Sequence, residues 1–259
     1  MVLPETSEVI ACLLELVYPV TPPTGKFADE DNLRDLCVAL DKYGVKSYPR
    51  PVLNRLTALA DDEPEVVYMF ACRFRLREVA IAAAKASLRS PRGFADMEAS
   101  DLRISMQQYH AFTTYQLRCR EQAASAVRDL AWMVDLMPDV PGLIEARNKP
   151  DYCLNCYKAS DLRIYQSKIR GTVKVCMSSY LNRYLELVEA ALGRDTRGAV
   201  AADQQHLAAV LASHGMHACD DCRTATNAFA MLALAKTLEQ EIDRRISLVG
   251  TLRCSTFSG

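Results

Sequence analysis

Two Cys-x-x-Cys pairs hold the residue types and spacing in this chain that point most directly to chemistry. Cys153 and Cys156 form one pair, Cys219 and Cys222 the other. Thiolates two residues apart chelate a zinc ion from one turn or helix end, and two such pairs complete the tetrahedral shell of one structural zinc. The pairs stand too far apart for a local zinc ribbon, so the ion would clasp two distant segments. Cys222 opens the last helix of the sequence, where a helix N-terminus favours the thiolate. His214 and His217 lie just ahead of it and would serve as replacement ligands. Two other readings stand beside zinc. The cysteines suit small buried side chains, because i and i+3 share one helical face, or a redox or disulfide pair. The histidines equally suit a solvent-exposed loop.

Other chemistry-bearing residues read more simply as structure. Arg73, Arg75 and Arg77 form a basic cluster, but their alternate spacing spreads them around a helix and makes a solvated face. Ser90-Pro91-Arg92 reads as a helix-ending loop or a phosphorylation site. Trp132, among Leu130, Met133, Val134 and Leu136, reads as a core anchor or a partner contact. His110 reads as a packed or partly exposed side chain. The sequence holds no G-x-S-x-G, phosphate-cradling glycine loop or HExxH. None of the four histidines falls in a catalytic pattern. The reading is therefore not an enzyme, with no catalytic residue assigned.

The elements that must position these residues come from an ordinary globular composition. Of 259 residues, 50% are hydrophobic and 24% charged, enough for a sizeable core and two compact units. A net charge of −1 supplies no global field to draw in nucleic acid or anionic lipid. No run reaches the ~18 uncharged apolar residues of a membrane span. The N-terminus lacks a basic n-region, and Glu5, Glu8 and Glu15 interrupt its apolar stretch, which reads against a signal peptide. Ten cysteines without a secretory signal place the chain in a reducing, intracellular compartment, cytoplasmic or nuclear.

Helix follows helix along the chain. Leu33, Leu36, Cys37 and Leu40 repeat at helical spacing after Asp29 or Asp31 as N-cap, and Gly44 suits a C-terminal position with positive φ. Pro51 to Leu59 reads as a short helix. Asp62 and Glu65 form a capping arrangement ahead of Val66, Val67, Phe70 and Phe74. An alanine-rich helix runs from Val79 to Leu88. Ser105-x-x-Gln108 is a capping box that starts a long helix through Phe112, Cys119 and Ala123. A further helix is expected from about Val173 to Leu192. The last carries a stripe of Phe229, Leu232, Ala235, Leu238, Ile242, Ile246 and Val249. A stub at Val2-Leu3 is the only strand expected, so the fold class reads as all-α.

The opening helix, Ser7 to Tyr18, places Ile10, Leu13, Leu14 and Val17 three and four residues apart on one face. Burying a leucine-sized side chain stabilises by roughly 1.5–3 kcal/mol. Four such positions left open would forgo on the order of 6–12 kcal/mol. So apolar a start implies that the chain begins inside a domain. The face is expected to re-pack, to leave its unit unstable alone, or to bind a partner.

The order of the first segments resembles the C-terminal helical half of a BTB/POZ domain. That half has a helix ending in Tyr, here Leu13-Leu14-Glu15-Leu16-Val17-Tyr18, then a helix ending Lys42-Tyr43-Gly44-Val45, then a short closing helix, Val52 to Leu59. Pro64 to Phe74, Glu78 to Leu88 and Ile104 to His110 are similar to the continuation common in mushroom-type (basidiomycete) fungi. The resemblance covers roughly residues 2–125. The N-terminal sheet and two earlier helices of a complete domain are missing, and they supply most of the homodimer surface and part of the cullin-contacting one. A homodimer or a cullin-type scaffold is thus implied only if that half is restored.

These readings combine into an all-α interaction or adaptor module. Residues 1–60 are a partial BTB/POZ unit, 61–137 its extension helices and 138–259 a helical region with the two cysteine pairs. Protein partners would dock on Ile10, Leu13, Leu14 and Val17, with one structural zinc at Cys153, Cys156, Cys219 and Cys222. The alternative is a zinc-stabilised nuclear regulatory protein. Neither reading involves a membrane, and near-neutral charge argues against nucleic acid.

Overall fold

The computed structural model describes residues 4–18, 30–45, 47–89, 104–137, 139–146, 156–212 and 225–250. Packing divides the chain into two compact units; residues 88–91 go with the second unit, and the main division falls between Thr114 and Tyr115. That point lies within the segment 61–137 of the sequence reading.

The first unit holds helices α1 (Ser7–Val17), α2 (Glu30–Lys42), α3 (Arg50–Leu59), α4 (Pro64–Arg73), α5 (Arg77–Ala86) and the first turns of α6 (Met106–Arg128). Local chemistry sets their ends. Thr6 caps α1 by accepting the Val9 N–H. α2 stops where Gly44 turns to φ +71° and the Val45 N–H reaches back to the Leu40 carbonyl. α4 closes the same way, with Leu76 N–H on the Ala71 carbonyl, but the left-handed residue is Arg75 at φ +57°. The Ser105 box forms reciprocally: Gln108 N–H donates to Ser105 Oγ at 3.2 Å and Ser105 N–H to Gln108 Oε1 at 2.8 Å. No side chain caps α4, where Pro64 takes the first turn and offers no N–H. Leu33, Leu36, Cys37 and Leu40 are all buried. Tyr68 is fully buried, its ring centroid 4.4 Å from that of Phe112, and its hydroxyl donates to the Gln108 carbonyl.

The second unit corrects the all-α expectation. It is mostly helical but carries a three-stranded antiparallel sheet: β1 (Leu143–Glu145), β2 (Tyr157–Ser167) and β3 (Gly171–Ser178), in the order β1-β3-β2. Helices α7 (Ala131–Asp135), α8 (Ser179–Leu192), α9 (Gln204–Ala212) and α10 (Ala225–Leu248) complete the unit with the rest of α6. The helix expected from Val173 is therefore a strand as far as Ser178. Val173, Val175 and Met177 alternate into the core, as β-branched residues on a pleated surface do. The helix proper begins one residue later, because Ser178 caps it by accepting the Leu181 N–H. The stub at Val2-Leu3 lies outside the described residues.

One core fills this unit. It joins Val127, Leu130 and Met133 to the inner face of the sheet, to Leu181, Tyr184 and Val188 of α8, and to Met231, Leu238 and Ile242 of α10. The Tyr184 hydroxyl donates to the Ala201 carbonyl at 2.7 Å, satisfying the one polar atom of that buried ring. Gly198 lets two segments touch. A Cβ there would lie 2.3 Å from the Glu239 carbonyl oxygen, and its N–H donates to Asp243 at 2.8 Å.

Candidate interaction surfaces

The α1 face is reshaped by what it packs on. Among the described side chains of α1, Val9 and Cys12 are buried, and the helix packs on α2. Ile10 and Leu13 are half-buried, and Leu14 and Tyr18 are 54% and 67% exposed. Val17 lies on the helix, but its side chain falls outside the described residues. The expected open face is therefore partly covered, and its exposed remnant centres on Leu14 and Tyr18. Polar contacts fix the helix on α2. Lys42 Nζ meets Glu5 Oε1 at 2.6 Å, the Tyr43 hydroxyl donates to Glu5 at 2.9 Å, and Asn32 donates to Glu8 at 3.2 Å. The hydrogen bond from the Lys42 ammonium holds the Glu5 carboxyl below its ordinary range, against the opposing effect of desolvation and with help from the Tyr43 hydroxyl.

Cys156 is buried in the core of the second unit, where its carbonyl accepts the Ser179 N–H. Cys153, Cys219 and Cys222 lie outside the described residues, as do His214 and His217. Among the described residues, no three histidine, cysteine or carboxylate side chains gather as metal ligands. Two other thiols are fixed as core atoms. Burial pushes Cys37 up to about 12 and Cys119 up to about 11, far from the range of a working nucleophile.

The remaining sequence candidates sit in plain surroundings. Arg73 ends α4 and Arg77 begins α5, with Arg75 in the turn between, so the three do not share one helix. Trp132 is half-buried against the core of the second unit, and its Nε1 donates to the Ala126 carbonyl at 2.9 Å. His110 is exposed on α6. The last stripe splits: Ala235, Leu238 and Ile242 are buried, whereas Phe229 is 71% exposed and Leu232 is exposed beside it. The inner face runs instead through Met231, Leu234, Leu238 and Ile242, which keep strict three- and four-residue steps.

Two shallow grooves accompany these faces. One of about 400 Å³ lies in the first unit beside Ser7, Glu8, Ala11 and Asn32. One of about 450 Å³ lies in the second, between Arg118, Glu121 and Gln122 of α6 and residues Leu248 to Gly250.

The β2–β3 hairpin adds an apolar surface absent from the sequence reading. Leu162 and Ile164 lie on its outer side, and Ile169 at its tip is 76% exposed. The signal was present in the sequence as the alternation Leu162, Ile164, Gln166, followed by Lys168-Ile169-Arg170-Gly171 as a turn.

Among the described residues, no helix is long and apolar enough to cross a membrane. Large aliphatic and aromatic side chains thus stand open on a helix of the first unit and on a hairpin and a helix of the second. Comparison with known proteins adds no relative to this description: no family model, no curated protein and no solved structure matches the chain.

Proposed function

We propose that this protein is a protein–protein interaction module of the adaptor kind, resembling the helical half of a BTB/POZ domain in the order of its first helices. One observation carries the reading. Leu14 on α1 and Tyr18 at its C-cap are more than half exposed, while Val9 and Cys12 of the same helix are buried. Single exposed apolar residues are ordinary, but a leucine on the last turns of a helix and a tyrosine at its C-cap make an apolar edge that a partner helix or groove would cover. The helix is capped by Thr6 and tied to α2 through Glu5, so the face is held in place before any partner arrives.

A photo-crosslinking residue in place of Leu14, in the full chain inside cells, tests the reading. The expected product is a discrete heterologous adduct. It should vanish in Tyr18→Asp while the thermal melting curve stays unchanged. Uniform background labelling, identical with and without Tyr18→Asp, would refute the α1 face as a docking site.

A further inference from the structure

The β2–β3 hairpin presents a surface of mixed apolar and basic character. The register pairs Ile164 with Lys174, Gln166 with Thr172 and Leu162 with Cys176, so each pair shares one side of the sheet. That side is the outer one, since Val173 and Val175, of opposite parity, enter the core. Cys176 is buried, but Leu162, Ile164, Gln166, Thr172 and Lys174 are exposed. Gln166 and Thr172 hydrogen-bond to each other across the strands at 3.0 Å. The turn then adds Ile169 between exposed Lys168 and Arg170. From Leu162 to Ser178 the sequence has four cations, at Arg163, Lys168, Arg170 and Lys174, and no carboxylate. Arg163 donates to Asn182, Arg170 to the Met137 carbonyl, and Asp135 meets the hairpin by accepting from the Ser167 hydroxyl. Among the described residues, neither Lys168 nor Lys174 is engaged by an acidic side chain.

We infer that this outer face of the hairpin is a docking surface for an acidic amphipathic helix of a partner protein. Charge argues against the simplest alternative occupant. A second copy meeting this face isologously would bring Lys168 and Lys174 against the same two cations, which no acidic side chain among the described residues engages. The shape decides between the others. At about 3.3 Å per residue, the apolar positions from Leu162 to the tip extend roughly 20 Å along a ribbon two strands wide. That footprint matches three or four turns of a helix about 10 Å across. A bilayer takes up amphipathic surfaces to a depth of only about 5–10 Å and favours aromatic anchors at the interface. The exposed side chains here are aliphatic. Single-stranded nucleic acid would ask for aromatic stacking platforms, which this face also lacks. Leu162 and Ile164 would take the apolar stripe of the helix, and Lys174, Lys168 and Arg170 its flanking carboxylates.

The inference is independent of the α1 face, and a different measurement tests it. The full chain, isotope-labelled, is titrated with a synthetic helical peptide bearing leucines on one face and glutamates on the other. Expected are amide shifts confined to β2, β3 and the tip, weakening as salt is raised. Lys168→Glu/Lys174→Glu should lower the affinity about tenfold or more, as reversal of docking charges does. Ile164→Asp, at an exposed position, should abolish binding without moving the melting curve. Equal binding of a glutamine-for-glutamate peptide, or shifts on α10 in place of the hairpin, would overturn the proposal. So would tip-centred binding to vesicles of equal parts phosphatidylserine and phosphatidylcholine with no response to the peptide. A hairpin-mediated homodimer in solution would overturn it as well. Loss of the α1 crosslink leaves these outcomes unaffected, so the two readings fail separately.

Discussion

The two units solve the same burial problem at different ranges along the chain. In the first, helices that follow each other in sequence pack on each other: α1 on α2, α3 and α4 on α5. In the second, one core gathers residues from α6, a hairpin some forty positions later and α10 a further sixty on. Local packing leaves each helix with an edge of its own, and so α1 is sealed on one side only. Long-range packing buries Val173, Val175 and Met177 on the inside of the sheet and leaves much of its outside as a separate surface. Exposed apolar residues thus arise in both units, but from different causes: an incomplete layer in one, the back of a finished layer in the other.

The largest expected effect tests whether the units stand apart energetically. Leu36→Ala in the first and Leu238→Ala in the second each remove a fully buried side chain and should cost about 2–5 kcal/mol. Denaturant unfolding should show two transitions, with each substitution displacing a different one. A single transition displaced equally by both would merge the units into one cooperative body.

Gly198→Ala ranks next. The added methyl would meet the Glu239 carbonyl oxygen, which belongs to helical backbone and cannot swing aside. Overpacking of this kind costs about 1–3 kcal/mol. Only the transition assigned to the second unit should shift; an unchanged midpoint would show that α10 gives way to the added methyl at no cost.

Capping gives a finer comparison. Ser178→Ala deprives α8 of a buried cap, and Thr6→Ala deprives α1 of one near solvent. Losses of about 0.5–2 kcal/mol are usual for such caps. Ser178→Ala should fall near the upper end and Thr6→Ala near the lower. The reverse order, read from the same denaturant curves, would mean that α1 is held more tightly than its one-sided burial implies.

The smallest effect has the opposite sign. Arg75 holds a left-handed conformation that costs a residue with a Cβ roughly 1–2 kcal/mol. Arg75→Gly should relieve this while losing part of the gain to a more flexible unfolded chain, for a net stabilisation of about 0.5 kcal/mol in the first unit. Destabilisation would expose a contribution of the arginine side chain that geometry alone does not show.

The same contrast explains what the sequence made legible. The face of α2, the Gly44 stop and the Ser105 box all came from residues within a few positions of one another, and each formed as expected. The strand at Val173 did not come through. Its inward alternation of Val173, Val175 and Met177 was blurred by a fourth apolar residue, Cys176, into a run that suits a buried helix equally well. Its true register depends on Leu162 and Ile164, across a turn. α1 and α10 show a subtler limit. Both helices carry apolar residues on more than one side, and periodicity cannot say which side a neighbour will cover. On α1 it is Val9 and Cys12 that are buried, and the second core took Met231 and Leu234 over Phe229 and Leu232. On α10, Phe229 and Leu232 were read into the inner stripe for that reason, and on α1 the face read as open is half covered at Ile10 and Leu13.

Ser167 has a consequence for the hairpin beyond its hydrogen bonds. Its hydroxyl oxygen accepts the Ile169 and Arg170 N–H groups and donates to Asp135, so the turn is tethered at its base from both directions. A loop that has already surrendered its conformational entropy in the free molecule has little left to lose on association. Recognition at the tip should therefore proceed as rigid docking with a small entropic penalty, and cutting that tether should slow capture before it loosens the fold.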